Sequence, residues 1–112
     1  MKIFIIGGAG YVGSHMVKIA HKAGHDVITL DNLSTGHQDA VLYGKFELCD
    51  ILDTAKLDKL FKKHTPDAVM HFSAYSLVGE SMANPYKYYN NNVSGTLSLL
   101  KAMIDNNCMK LI

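Results

Sequence analysis

The sequence predicts an α/β fold built on a doubly wound parallel sheet, and three observations lead there. Short, almost wholly apolar runs recur along the chain, as strands buried on both faces require. Segments with helical spacing separate these runs, which implies crossover connections and parallel pairing. The first run, moreover, passes straight into a glycine-rich turn and then a helix: IFIIGGAGYVGSH over residues 3–15.

The elements follow in order. Residues 3–6 form the first strand. From Val12 the apolar positions Val12, Met16, Ile19, Ala20 and Ala23 mark a helix that Gly24 stops. A β-branched run, DVITL, predicts the second strand, ending at Asp31. Residues 32–44 are polar and glycine-punctuated, a loop with room for one helical turn. KFELC, residues 45–49, is the third strand, closed by Asp50. In the next helix Leu57, Leu60 and Phe61 supply the apolar stripe, Asp53 or Thr54 the N-cap, and Pro66 the end. AVMHF, residues 68–72, is the fourth strand. A helix of about 20 residues, roughly 30 Å long, is expected from Pro85. Its rhythm is Tyr89, Val93, Leu97, Leu100 and Ile104, with Leu99 and Met103 as a second apolar row. A fifth strand begins at 109–112, where a natural domain is not expected to finish, so the chain reads as the N-terminal part of something longer.

Composition narrows the function. With 48% hydrophobic and 19% charged residues among 112, the chain suits a packed core rather than disorder. Its net charge of +1, with both signs interspersed, gives no reason to expect nucleic acid or an anionic membrane as partner. No apolar run is long enough to span a bilayer, and the start is too short in apolar residues for a signal peptide. Cys49 and Cys108 lack metal-type spacing and are expected as reduced, buried thiols of a cytoplasmic protein. No metal site is expected from the six histidines: Gly24 separates His21 from His25, and His71 lies among apolar strand neighbours. Lys56, Lys59, Lys62 and Lys63 suit the solvated face of a helix.

The glycines point to a dinucleotide. Gly7, Gly10 and Gly13 are spaced G-x-x-G-x-x-G at a strand–turn–helix junction, a variant of the commoner G-x-G-x-x-G. There they permit a tight turn, backbone approach to a ligand and close helix–strand packing. The unpaired N–H groups of the following helix suit a pyrophosphate. Asp31 ends the second strand 18 residues after Gly13, near the expected spacing of about 20. A carboxylate there accepts ribose hydroxyls and repels a 2′-phosphate, and no Arg or Lys stands between Asn32 and Gln38 to offset that. NAD is therefore expected over NADP. Asp50 and Ile51, after the third strand, are placed to flank an adenine, the carboxylate on its amine and the isoleucine over its face. Phe72, Ser73 and Ala74, at the end of the fourth, lie where cofactors sit in such sheets.

GGAGYVGSH, DNLSTGH, CDILD and above all HFSAYSLVGESMANPYKYYNNNVSGTLSLL resemble the extended short-chain dehydrogenase/reductase superfamily. Within it they are most similar to the UDP-glucose 4-epimerase family, over the whole chain but about the first third of a typical member. The resemblance implies a Rossmann-type domain holding NAD as a transient oxidant of a UDP-sugar. By position it implies that Gly7, Gly10, Tyr11, Val12 and Gly13 hold the pyrophosphate. Asp31 and Asn32 bind the ribose, with Ser34, Thr35 and Gly36 nearby, and Asp50 and Ile51 bind the adenine. Phe72, Ser73, Ala74 and Asn91 complete the cofactor site.

Two departures matter. Many members carry a lysine two residues before the valine of VGES, where this chain has Ser76, which supplies no cation and is expected to meet the cofactor through a hydrogen bond instead. The family's catalytic Ser/Thr and Tyr-x-x-x-Lys lie beyond the fifth strand, as does the sugar-binding domain, so no catalytic residue is assigned among these 112. The full-length protein is expected to be an isomerase, and this chain alone inactive. Two other readings stay open: a related nucleotide-sugar dehydratase, decarboxylase or epimerase, and a non-catalytic NAD-binding module. The two apolar rows of the last helix lead us to expect a homodimer through residues 85–106.

Overall fold

In the computed structural model residues 1–33, 37–72, 86 and 90–112 are described, with the backbone alone at 40, 90 and 91. Strands β1 (Lys2–Ile6), β2 (Asp26–Asp31), β3 (Lys45–Leu48) and β4 (Ala68–His71) form one sheet in the order β3-β2-β1-β4. All pairings are parallel, with Ile3 opposite both Val27 and Ala68. The third and fourth strands are each one residue shorter than the sequence predicts. The expected fifth strand is present as a single parallel bridge from Leu111 to Val69, with three backbone hydrogen bonds of 2.9 Å joining β4 to residues 110–112.

Period-two alternation splits β1 between two cores. Phe4 and Ile6 point into one face with Ile28, Leu30, Leu57, Phe61 and Leu99. Ile3 and Ile5 point into the other with Val17, Ala20 and Val27. Helix α1 (Tyr11–Lys22) thus covers one face, while α2 (Thr54–His64) and α3 (Gly95–Asp105) cover the opposite one. A short 3-10 turn, Gln38–Ala40, interrupts the loop after β2, and a π-helical turn, Asn90–Ser94, leads into α3.

Helix α2 forms as its sequence implies. The Asp53 carboxylate caps it by accepting from the Lys56 N–H at 3.2 Å; Leu57, Leu60 and Phe61 are buried, and Thr65 ends it in left-handed conformation just before Pro66. Its four lysines are exposed. Both cysteines are free and buried, and burial pushes the Cys49 thiol up to about 11, which leaves it unreactive at neutral pH.

Two helix faces differ from expectation. In α1 the buried column is Gly13, Val17 and Ala20, whereas Val12, Ile19 and Ala23 are turned outward. The residue without a side chain must meet the strand, and that fixes the helix's rotation. In α3 the roles of the two apolar rows are exchanged. Gly95, Leu99, Ala102 and Met103 face the core, while Val93, Leu97 and Ile104 are exposed. Gly95 sets this rotation, because a Cβ there would stand 2.8 Å from Ile51 Cγ2.

At the outer edge, Glu47 of β3 accepts hydrogen bonds from His64 Nε2 at 2.7 Å and Lys63 Nζ at 3.1 Å. The His64 bond above all holds the Glu47 carboxyl below its ordinary pKa of 4.5. A depressed folded pKa contributes stability above the unfolded value and loses it as pH falls through the folded value. The Glu47→Gln variant is therefore expected to be less stable by about 1 kcal/mol near neutrality. That deficit should shrink as the pH falls below 4.5 and vanish once Glu47 is protonated in the folded protein as well, as urea titrations across pH will measure.

Candidate functional site

The carboxyl ends of all four strands carry the residues singled out by sequence. Gly7 leaves β1 with φ of 82°, and its N–H donates to Leu30 O at 2.7 Å, which folds the turn toward β2. Gly10 N–H donates back to Gly7 O at 3.1 Å, and Gly10 stands as the N-cap of α1 without a side-chain cap. A Cβ on Gly13 would lie 2.1 Å from Gly7 O, so the first turn of α1 rests directly on the end of β1. No acidic residue occupies that first turn, and its N–H groups offer an electropositive end to an anion. Tyr11 is 82% exposed and Val12 largely so, with the Tyr11 ring edge-on to His15 at 4.9 Å.

Asp31 is the hinge of the arrangement. It is only 9% exposed, and its two oxygens accept from different segments. Oδ2 takes the Ala9 N–H at 3.0 Å, from the middle of the glycine turn. Oδ1 takes the Leu33 N–H at 2.7 Å, which holds Leu33 in the left-handed region at φ of 63°. A carboxylate has about four acceptor directions, so two remain for hydroxyl groups of a ligand.

At the end of β3, Asp50 is exposed. Its Oδ1 accepts from Leu52 N–H at 2.9 Å, and its Oδ2 lies 3.5 Å from the Asn32 amide, a long contact. The two strand ends thus present a pair of neighbouring polar groups to one side. Ile51 corrects an expectation: its side chain is buried against Gly95 within the core and is not available to cover a ring face. What Ile51 can offer there is main chain. Phe72 is half-buried beside the α1-side core, its N–H donating to Ile6 O at 2.7 Å. Ser34, Thr35, Gly36, Ser73, Ala74 and Ser76 lie outside the described residues, as does the side chain of Asn91.

Sequence reasoning missed two participants. A Cβ on Gly8 would stand 2.6 Å from Thr29 Cγ2, so the second glycine of the GG pair is a packing requirement of β2. Ala9, buried and given no role by the sequence, supplies the N–H that Asp31 holds. The doubled glycine was the available signal for the first; nothing in a lone alanine signals the second. Among the described residues no three His, Cys, Asp or Glu side chains converge as a metal ion would need, and no helix is long and apolar enough to cross a membrane.

The model of the NAD dependent epimerase/dehydratase family matches residues 3–112. Among curated relatives, the UDP-glucose 4-epimerase of Lactobacillus helveticus is 53% identical across the whole chain, which spans 34% of that protein. The crystal structure of a UDP-glucose 4-epimerase from Brucella ovis in complex with NAD is 46% identical and superposes with a TM-score of 0.95, over 98% of this chain and 34% of that one. The UDP-glucose 4-epimerase from Bifidobacterium longum, solved with NAD+ and UDP, is 33% identical with a TM-score of 0.91, over 99% and 36%. The chain thus spans about a third of the length of the relatives it matches.

Replacing Asp31 by Asn exchanges one acceptor oxygen for a donor that faces a backbone N–H. The variant is expected to lose about 2 kcal/mol of stability without any ligand present. Equal urea midpoints for the two proteins would show that the carboxylate does not hold the turn.

Proposed function

The chain belongs to the NAD dependent epimerase/dehydratase family, and on that premise we propose that it is the NAD-binding part of a UDP-glucose 4-epimerase. One observation carries the reading. A side-chain-free turn, an uncapped helix N-terminus and a half-satisfied carboxylate stand together at the ends of β1 and β2. That combination fits the pyrophosphate and ribose of a dinucleotide. The identity of the relatives supports the narrower choice of enzyme.

NAD, when bound, supplies a reversible hydride acceptor for C4 of a UDP-hexose, so that return of the hydride to the other face of the 4-keto sugar inverts that centre. This chain's own residues hold and orient. The N–H groups around Gly10, Tyr11, Val12 and Gly13 take the pyrophosphate. The free acceptor directions of Asp31, with Asn32 beside it, take the ribose hydroxyls, and the loop residues Ser34, Thr35 and Gly36 follow. Asp50 accepts from the adenine amine, and Ile51 contributes main chain. By family resemblance Phe72, Ser73, Ala74, Ser76 and Asn91 are assigned to the cofactor as well. The tyrosine and lysine to which the family assigns proton transfer are not among these residues, so the part assigned to them is cofactor binding.

The exposed row of Val93, in the turn before α3, with Leu97 and Ile104 on α3 favours a homodimer through that helix. The two buried, reduced thiols suit the cytoplasm.

Calorimetric titration of the chain tests the cofactor. NAD is expected to bind, and NADP at least about tenfold more weakly, since a 2′-phosphate would face Asp31. Absence of NAD binding, or a preference for NADP, overturns the reading. In the full-length parent, conversion of UDP-galactose to UDP-glucose is the corresponding assay. Leu97→Glu is expected to give a monomer in sedimentation; a dimer that survives it rules out the α3 interface.

A further inference from the structure

Ala9, in the middle of the glycine turn, is held from both of its peptide groups. Its N–H donates to Asp31 Oδ2 at 3.0 Å, and its carbonyl accepts from the His37 N–H at 3.3 Å. The first bond belongs to the site already described. The second brings in a separate stretch of chain.

His37 is fit to serve as an anchor because the segment behind it is itself fastened. It stands in extended conformation, φ −129° and ψ 135°, at the head of the 3-10 turn Gln38–Ala40. Val41 N–H closes that turn on Gln38 O at 2.9 Å. Tyr43 then packs against the α1-side core, with its ring 5.1 Å from that of His21. A Cβ on Gly44 would collide with the Val27 carbonyl, so the backbone there rests on β2. His37 itself is exposed, and the group that makes the bond is its main-chain N–H.

The consequence falls on Asp31. The terminal torsion of a carboxylate is soft, so the donors that hold it decide its orientation. Leu33 N–H, on Oδ1, is only two residues away and moves with the strand end. Ala9 N–H, on Oδ2, is the donor that relates the carboxylate to the glycine turn. Holding the Ala9 carbonyl keeps that N–H in place. Gly10 N–H is held separately, by Gly7 O at 3.1 Å, so the start of α1 does not depend on His37.

We propose that His37 is a positioning residue: its main-chain N–H holds Ala9, Ala9 holds the Asp31 carboxylate, and the carboxylate thereby sets the orientation of the ribose. This inference rests on the NAD reading above. It gives His37 no contact with the cofactor, and it separates the nucleoside half of the site from the pyrophosphate half.

Three measurements test it on the 112-residue chain. The His37 amide is expected to exchange at least about tenfold more slowly than an open-chain amide, although the residue is exposed. By linkage, adenosine is expected to slow that exchange about fivefold further, and inorganic pyrophosphate to leave it unchanged. His37→Pro, which removes the N–H, is expected to weaken NAD and adenosine about fivefold and pyrophosphate by less than about twofold. His37→Ala, which keeps the N–H, is expected to bind all three as wild type does. An unprotected His37 amide overturns the proposal, as do wild-type affinities in the proline variant. Equal losses for adenosine and pyrophosphate overturn it too, and so does an alanine variant as impaired as proline. If the proline variant does not fold, the exchange rates with and without adenosine decide. If the wild-type chain binds neither NAD nor adenosine, the cofactor reading fails instead, while the exchange rate of the free chain still judges the tether.

Discussion

A helix can begin in contact with the strand before it only if the contact is made by bare backbone. In this chain that condition is met at Gly13, where a single methyl group would fall 2.1 Å from the Gly7 carbonyl. The rest of the α1 side of the sheet follows from it. The glycine contact fixes the rotation of α1, which selects Val17 and Ala20 for the core and leaves Tyr11 and Val12 facing outward beside the helix N-terminus. A packing constraint and the surface proposed to bind the dinucleotide are in this way two results of one missing side chain.

Asp31 connects that corner to the neighbouring strand. A carboxylate confined in protein favours hydrogen-bond donors that it need not share with water. Here both donors are main-chain N–H groups, one in the glycine turn and one just past the end of β2. The acid therefore shapes the site before it contacts any ligand. This gives a physical reason for a carboxylate, rather than another acceptor, at the end of β2: it can serve two backbone donors and still accept from two hydroxyls.

Much of this was legible in the sequence. Parallel strands, their order of appearance and the positions of the glycines, Asp31 and Asp50 follow from apolar runs, helical spacing and punctuation. The faces of α1 and α3 were not legible, for a shared reason. Both helices carry apolar residues around more than half their circumference, so periodicity offers two columns and does not rank them. Gly13 and Gly95 decide, and a glycine contributes nothing to an apolar count. The same limit hid the duty of Ile51, whose burial is set by Gly95 forty-four residues away in sequence. The π turn was invisible too, because N-N-N-V-S reads equally well as ordinary helix.

The central place of β1 also dictates an order of assembly. Its pairing with β2 closes through α1 alone, a short connection whose contacts are local. Its pairing with β4 must wait for a far longer excursion through β3 and α2. Chain entropy rises with the length of the loop to be closed, so the β1–α1–β2 unit is the natural nucleus. The glycine turn, Ala9 and Asp31 all belong to that unit, whereas Asp50, Phe72 and the π turn join later. On that ordering, the two halves of the proposed site are expected to form at different times. Changes to the first half would slow folding itself, and changes to the second would mainly speed unfolding.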